Sequence, residues 1–582
     1  MLEGLSKISA VEVVEGFVER IKQVNPLINA VVCDRFELAL KEAVEADELI
    51  GSGKLTKKQL QQQKPFLGIP FTTKDSTAAK VSRRNTKATE DADAVVLMKE
   101  AGAILLGTTN IPELNMWCET RNNVFGQTLN PYNTTRTVGG SSGGEASIIA
   151  ANGSPLGLAS DIGGSIRMPA FYCGIFGHKP TSGLTPMKGF TRRTGKEEQT
   201  MVTAGPMCRY AQDLAPFLKV IIGNNISKLK LDEQTNWDKL LVLMHHEWLS
   251  KCYEPRIPLL FPQSNLFHKG FFISILRELV VLPVTLEDVS FYYMESSGDP
   301  RASSINQAMQ QALFKAVSHF RELSGHPIQK ASKYNLVHTN VGKDGARERD
   351  RPVRMCDGDR KDAFSLCIGN VTFPEMKYSF RLWRYWMTKE PMVFPEELAN
   401  REVHCRMSEN NTDNSAILSA RLCNSDKSRS NGCVSPFQEL PKLLVGQSDF
   451  TFASLLRLFN DMLPSEKAPW AEKTTKTLLA KIVAKLGDNG VLLYPSHPTS
   501  ASYHYSSFLR PYNFGYWAVF NVLHLPVTQV PMGLDRDGLP VGIQIPASYT
   551  LYSPNDPKKR CLANSLYVKR SRQNKSYGIN KI

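Results

Sequence analysis

Asp161-Ile-Gly-Gly-Ser165-Ile-Arg167 places a serine directly after two glycines. Consecutive amides through such a turn can converge on one point and form an anion-binding nest, which in an enzyme serves as an oxyanion hole. A serine whose own amide belongs to the nest stands where its hydroxyl can attack the carbonyl whose oxygen the nest holds. The chemistry implied is acyl transfer. A free hydroxyl is a poor nucleophile and needs a base. His178 is the nearest histidine in sequence, and it reads, like His497, as structural. Two other features can supply the base. Gly140-Ser141-Ser142-Gly-Gly carries two hydroxyls in a second glycine-rich loop, and Lys74 ends the apolar run Pro65–Thr73. A lysine of ordinary pKa, about 10.4, is no base near pH 7. Desolvation disfavours its ammonium and can lower that value by several units. A lysine at a buried strand end can therefore be neutral and draw a proton through a bridging serine. Lysine is usually solvated, so residue types alone leave Lys74 open as a surface residue and do not choose between Ser141 and Ser142.

Other chemistries fit less well. No Gly-Lys-Ser/Thr follows Gly-Gly-Ser-Ser-Gly-Gly, which argues against a phosphate loop. His246-Glu247-Trp-Leu-Ser250 opens like a zinc-peptidase motif but has Ser250 where the second histidine belongs, so no metal is expected there. Asp161 reads as a turn former rather than an acid catalyst.

The elements that must position these residues alternate between helix and strand. Ser9 and Glu12 form a capping box, followed by Val13, Phe17 and Ile21 at helical spacing. Pro65–Thr73 reads as a buried strand, Ala94–Ala101 as a helix and Ala103–Leu106 as a strand. Later, Thr474–Leu486 reads as an amphipathic helix and Val491–Tyr494 as a strand. Asp535–Gly538 reads as the turn of a hairpin joining Val527–Val530 to Val541–Ile545.

Gly139–Thr181, GGSSGGEASIIAANGSPLGLASDIGGSIRMPAFYCGIFGHKPT, resembles the amidase signature, whose enzymes use a Ser-Ser-Lys triad. By that resemblance Ser165 is the nucleophile, Ser141 the bridging serine and Lys74, in GIPFTTKD, the base. Ile162, Gly163, Gly164 and Ser165 would supply the oxyanion amides, with Ser142 and Arg167 supporting them. GPMCRYAQDLAP (Gly205–Pro216) and LLYPSHPT (Leu492–Thr499) look most like the fatty-acid amide hydrolase branch. The resemblance implies an α/β fold with a mixed central β-sheet covered by helices on both faces. It also implies hydrolysis of amide bonds in lipophilic substrates through an acyl-enzyme, with no metal and no organic cofactor. Peripheral membrane contact and a homodimer are the associations expected, and nucleic acid is not.

Composition agrees with a globular chain and adds little to function. With 42% apolar and 22% charged residues, wholesale disorder and coiled coil are excluded. The net charge is +14, but residues 557–582 hold eight bases and no acid, so the excess is largely a basic tail. Eleven scattered cysteines without a C-x-x-C pair fit reduced thiols. No signal peptide or membrane span is expected, which places the chain inside the cell, cytoplasmic or membrane-associated.

Amidase-like sequence is expected over 1–240, 291–331, 363–401 and 437–545, interrupted by insertions at 241–290, 332–362 and 402–436 and followed by a divergent tail at 546–582. The segment between Lys74 and Asn85 is shorter than the family pattern, and His524 stands where that pattern has glycine. Three rivals stay open: an amidotransferase A-type subunit, an inactive amidase-like chain on a disrupted scaffold, and a binding module that uses the basic tail.

Overall fold

The computed structural model describes residues 8–77, 90–190, 193–195, 200–223, 290–323, 368–391, 434–464, 466–487 and 490–547. The expected insertions lie outside these residues except at their edges, as do His246–Ser250, the tail beyond Ala547 and, apart from residues 75–77, the shortened segment between Lys74 and Asn85. Ser290, expected to close the first insertion, instead opens a strand, and Pro436 opens a helix.

The capping box at the start forms. Ser9 Oγ accepts from the Glu12 amide at 3.1 Å, and Glu12 Oε2 accepts from the Ser9 amide at 2.7 Å. It launches α1 (Ala10–Ile28), whose buried stripe runs through Val14 rather than Val13, then Phe17 and Ile21. There follow β1 (Val31–Asp34), α2 (Phe36–Gly51), α3 (Lys57–Gln63), β2 (Pro70–Lys74), α4 (Asp93–Glu100) and β3 (Ile104–Thr109). The strand expected from Pro65 begins only at Pro70. Residues 65–68 turn instead, because Gly68 adopts φ +76°, a region that favours glycine.

A short ribbon of β4 (Arg121–Asn122) and β5 (Gly126–Gln127) precedes α5 (Gly143–Ala150), β6 (Leu156–Asp161), α6 (Arg167–Tyr172), β7 (Phe176–Lys179), β8 (Thr203–Cys208) and α7 (Leu214–Ile222). The remainder contributes β9 (Ser290–Tyr293), α8 (Gln307–Leu323), β10 (Ile368–Asn370), α9 (Ser379–Met387), α10 (Pro436–Leu444), α11 (Phe452–Met462) and α12 (Ala468–Leu486). It ends with β11 (Gly490–Pro495), α13 (Gly515–Val522), β12 (Val527–Leu534) and β13 (Pro540–Pro546). The expected hairpin is β12–β13, closed at Asp535–Gly538.

Eleven strands form one sheet in the order β1-β3-β2-β6-β8-β7-β12-β13-β11-β9-β10. It is mixed: β3–β2–β6 and β11–β9–β10 run parallel, and the strands between are antiparallel. Alternate side chains along a strand point to opposite faces, and both faces are buried. Leu105 joins the core cluster containing Val95, Phe217 and Leu313 of α4, α7 and α8. Its neighbours Ile104 and Leu106 join the cluster containing Val14, Ala43 and Ile148 of α1, α2 and α5. In β11, Val491 and Leu493 meet the first cluster, whereas Leu492 and Tyr494 meet Leu382, Leu478 and Val519 of α9, α12 and α13. The mixed sheet with helices on both faces is therefore observed. No described helix is long and apolar enough to cross a membrane.

Candidate active site

Strands β2 and β6 are parallel neighbours, with Thr72 opposite Gly157 and Thr73 opposite Leu158. Their carboxyl ends deliver Lys74 and the pair Ser160-Asp161 to the same edge of the sheet, the place where open α/β sheets ordinarily hold their sites. Lys74 is fully buried. Its Nζ donates to Ser141 Oγ at 2.8 Å and to Ser160 Oγ at 3.2 Å. Burial pushes its pKa down to about 7, against the opposing pull of Asp161 and Glu145.

Ser141 follows a cis peptide with Gly140 and sits just before α5. Of the two adjacent hydroxyls, that of Ser141 meets the lysine. Ser142 Oγ is buried and has no hydrogen-bond partner among the described residues. The Ser142 amide donates to the Ser165 carbonyl at 3.2 Å and so ties the two glycine-rich loops together. Ser165 is half-buried and lines one cleft with Ser141 and Ser160.

The oxyanion assignment needs one correction. The Gly164 amide donates to Asp161 Oδ1 at 2.6 Å, so it is already engaged. Ile162, Gly163 and Ser165 are left as candidate donors. Gly164 serves the turn itself. It adopts φ +123°, and a Cβ there would stand 2.6 Å from Trp517 Cβ. Only glycine lets the loop turn so close under that indole.

Asp161 is more than a turn former. Arg167 Nε donates to its Oδ2 at 3.1 Å, and the Ile166 amide donates to the same oxygen at 3.1 Å. Arg167 also reaches Gln544 Oε1 at 3.0 Å and Asn521 Oδ1 at 2.7 Å. Burial alone would raise the Asp161 carboxyl, but the Arg167 charge and hydrogen bonds outweigh it and hold it well below the usual carboxylate range. Arg167 thus braces the loop that carries Ser165 through a buried network that reaches α13 and β13.

Residues that sequence reasoning missed complete the site. Ser160 is the second partner of Lys74. Glu145, on the first turn of α5, is buried and accepts from Thr72 Oγ1 at 2.7 Å and Thr109 Oγ1 at 2.8 Å. Burial pushes its pKa up to about 8. Nothing in the alternation of apolar residues flags it, because every residue of α5 is buried. Neither His178 nor His497 lines the cleft. His178 Nδ1 bonds with Thr528 Oγ1 at 2.9 Å, and burial pushes its pKa down to about 3. His497 stacks on Trp517 with ring centroids 4.9 Å apart.

The cleft is narrow, with a cavity volume of about 30 Å³. Leu114, Met116, Ile162, Met187, Phe190 and Val202 give it an apolar wall. An amine whose pKa lies near 7, a hydroxyl beside it and a second serine in a glycine turn form an arrangement that can move a proton and stabilise an oxyanion.

The fold and this site define a class, the amide-bond hydrolases built on one large mixed sheet. A solved structure of fatty acid amide hydrolase shares the fold with a TM-score of 0.56 at 16% identity, covering 94% of this chain and 80% of that one. In sequence, the family described as Amidase matches residues 12–240. Fatty-acid amide hydrolase 2 of Homo sapiens is 35% identical over 560 residues, covering 93% of this chain and 83% of the relative. The glutamyl-tRNA(Gln) amidotransferase A-type subunit of Carboxydothermus hydrogenoformans is 40% identical, but over 38% of this chain and 44% of its own. The chain belongs to the amidase family and is an amide-hydrolysing enzyme.

Proposed function

We propose that the chain cleaves amides of fatty acids through a Ser-Ser-Lys triad and an acyl-enzyme. The observation that carries this reading is the 2.8 Å contact of buried Lys74 Nζ with Ser141 Oγ, in the loop next to Ser165. Lys74, as the free amine, accepts the proton of Ser141 while Ser141 takes that of Ser165. Ser165 Oγ attacks the amide carbon, and the oxyanion rests on amides from Ile162, Gly163 and Ser165. On collapse the C–N bond breaks, Ser141 gives its proton to the departing amine, and Lys74 returns one to Ser141. Water then hydrolyses the Ser165 ester along the same proton path. The apolar cleft wall supports a lipophilic acyl group.

The test is release of ammonia from dodecanamide and from glutamine by the wild-type chain and by S165A. The reading expects turnover of dodecanamide by the wild type, none by S165A, and little of glutamine. Glutamine turnover without dodecanamide turnover would replace it with the amidotransferase-type reading.

A further inference from the structure

Among the described residues lining the cleft, Arg193 alone carries a charge. Its side chain is 4% exposed. One nitrogen, Nη2, donates to Glu390 Oε2 at 2.8 Å. Glu390 also accepts from Thr200 Oγ1 at 2.8 Å and from the Met201 amide at 2.7 Å. The arginine's charge is balanced inside the protein, and the carboxylate is well supplied with donors.

The other branch of the fork is not satisfied. Arg193 Nη1 is buried and has no hydrogen-bond partner among the described residues. A guanidinium stays protonated in proteins and keeps its N–H groups in a fixed plane, so this demand cannot be removed by losing a proton. A buried donor left unpaired is a standing cost that an incoming acceptor relieves. The neighbouring wall, Met187, Phe190 and Val202, offers no strong side-chain acceptor. Met187 is unbranched and polarizable, the kind of wall that gives way to a ligand. An acceptor arriving with whatever fills the cleft would meet that demand.

We propose that Arg193 is a specificity-determining anchor, its Nη1 donating to a neutral oxygen that the substrate carries beyond its scissile amide: a hydroxyl, an ether or a second carbonyl. This rests on the amide-hydrolase reading of the cleft and adds a substrate class to it. The oxygen is neutral because Glu390 already cancels the arginine's charge. A carboxylate would bring a second, unbalanced negative charge into a buried site. An apolar cleft discriminates weakly between isosteres, whereas a cleft with an unmet donor penalises the analogue that lacks the oxygen.

The test uses the full chain carrying S165A, which binds amides without turning them over, and calorimetry on two matched pairs. On the amine side the pair is N-(2-hydroxyethyl)dodecanamide against N-propyldodecanamide. On the acyl side it is N-propyl-3-hydroxydodecanamide against its 3-methyl counterpart. In at least one pair the oxygen-bearing amide is expected to bind about tenfold more tightly, or about 1.4 kcal/mol. R193K in the same background keeps a cation opposite Glu390 and lacks the second nitrogen. There the preference should fall to within about threefold. The S165A measurement alone decides if R193K fails to fold. Equal binding within both pairs, binding of none of the four amides, or a preference that R193K retains would each overturn the anchor. Amine release from the same amides by the wild-type chain is read separately. Hydrolysis without preference removes the anchor alone, and preference without hydrolysis removes the proposed activity alone.

Discussion

Lys74 Nζ lies 2.8 Å from Ser141 Oγ inside a site where burial holds the lysine pKa near 7, about where an enzyme working at neutral pH needs its base. The amine fraction rises as pH climbs through that value. kcat/KM should therefore rise about tenfold per pH unit below 7 and level off above it, and Lys74→Ala should remove the rise with most of the activity. Stability carries the same signature. The folded pKa lies below the reference value of 10.5, so between about 7 and 10.5 the unfolded chain binds more protons. Lys74 accordingly contributes stability that grows as pH rises through that window. Between pH 7 and 9.5 the melting temperature of the wild type should rise relative to that of Lys74→Met. Parallel curves would mean an unshifted lysine.

The two loop serines should behave unequally. Ser141 meets the lysine, whereas Ser142 Oγ has no partner among the described residues. Ser165→Ala should lower kcat by about a thousandfold or more, and Ser141→Ala should cost at least about ten times more than Ser142→Ala. A fluorophosphonate should form its adduct on Ser165, located by peptide mass. An adduct elsewhere, or equal losses at the two loop serines, would undo these roles.

Arg167 and Asp161 are both fully buried, and their pair holds the loop that presents Ser165. Arg167→Met leaves the Asp161 carboxylate in place without its cation. Removing one member of a buried pair costs about 3–5 kcal/mol. Urea unfolding should show a midpoint lowered in proportion, and Asp161→Asn added to Arg167→Met should recover part of the loss. A midpoint shift within experimental error would mean that Gln544 and Asn521 suffice to hold the loop.

Ser165 stands out as a candidate from its two-glycine turn, whose composition states its backbone geometry, whereas Lys74 and the choice of Ser141 over Ser142 came only with the resemblance to the amidase signature. The hairpin at Asp535–Gly538 and the cap at Ser9 were legible, like Ser165, because the signal is local. The rest of the site depends on contacts between distant segments. Arg167 finds Gln544 and Asn521, and Arg193 finds Glu390, far along the chain. Such pairs leave no trace in spacing. Helix α5 is buried on every side, so it has no amphipathic stripe from which Glu145 could be picked out. The run from Pro65 looked like one strand because its apolar residues are continuous. Gly68 breaks it with a left-handed residue, and the aromatic and aliphatic side chains before Pro70 are buried by a turn instead.

His524 departs from the family pattern at a position where the backbone explains the pattern. It follows α13 with φ +56°, and its amide closes the turn by donating to the Asn521 carbonyl at 3.0 Å. A helix commonly ends on a left-handed residue of this kind, and glycine fills it without steric cost. A side chain with a Cβ costs about 1–2 kcal/mol there. Glycine gives back part of that through its greater freedom in the unfolded chain, about 0.5–1 kcal/mol. His524→Gly should therefore stabilise the protein by about 1 kcal/mol or somewhat less. Because the turn leads directly from α13, which carries Trp517 and Asn521, into β12, the gain should come without loss of activity. The measurement is the urea midpoint of His524→Gly against the wild type at one pH, with kcat/KM on the same preparation. A lowered midpoint would show that contacts of the imidazole outweigh the strain of its backbone.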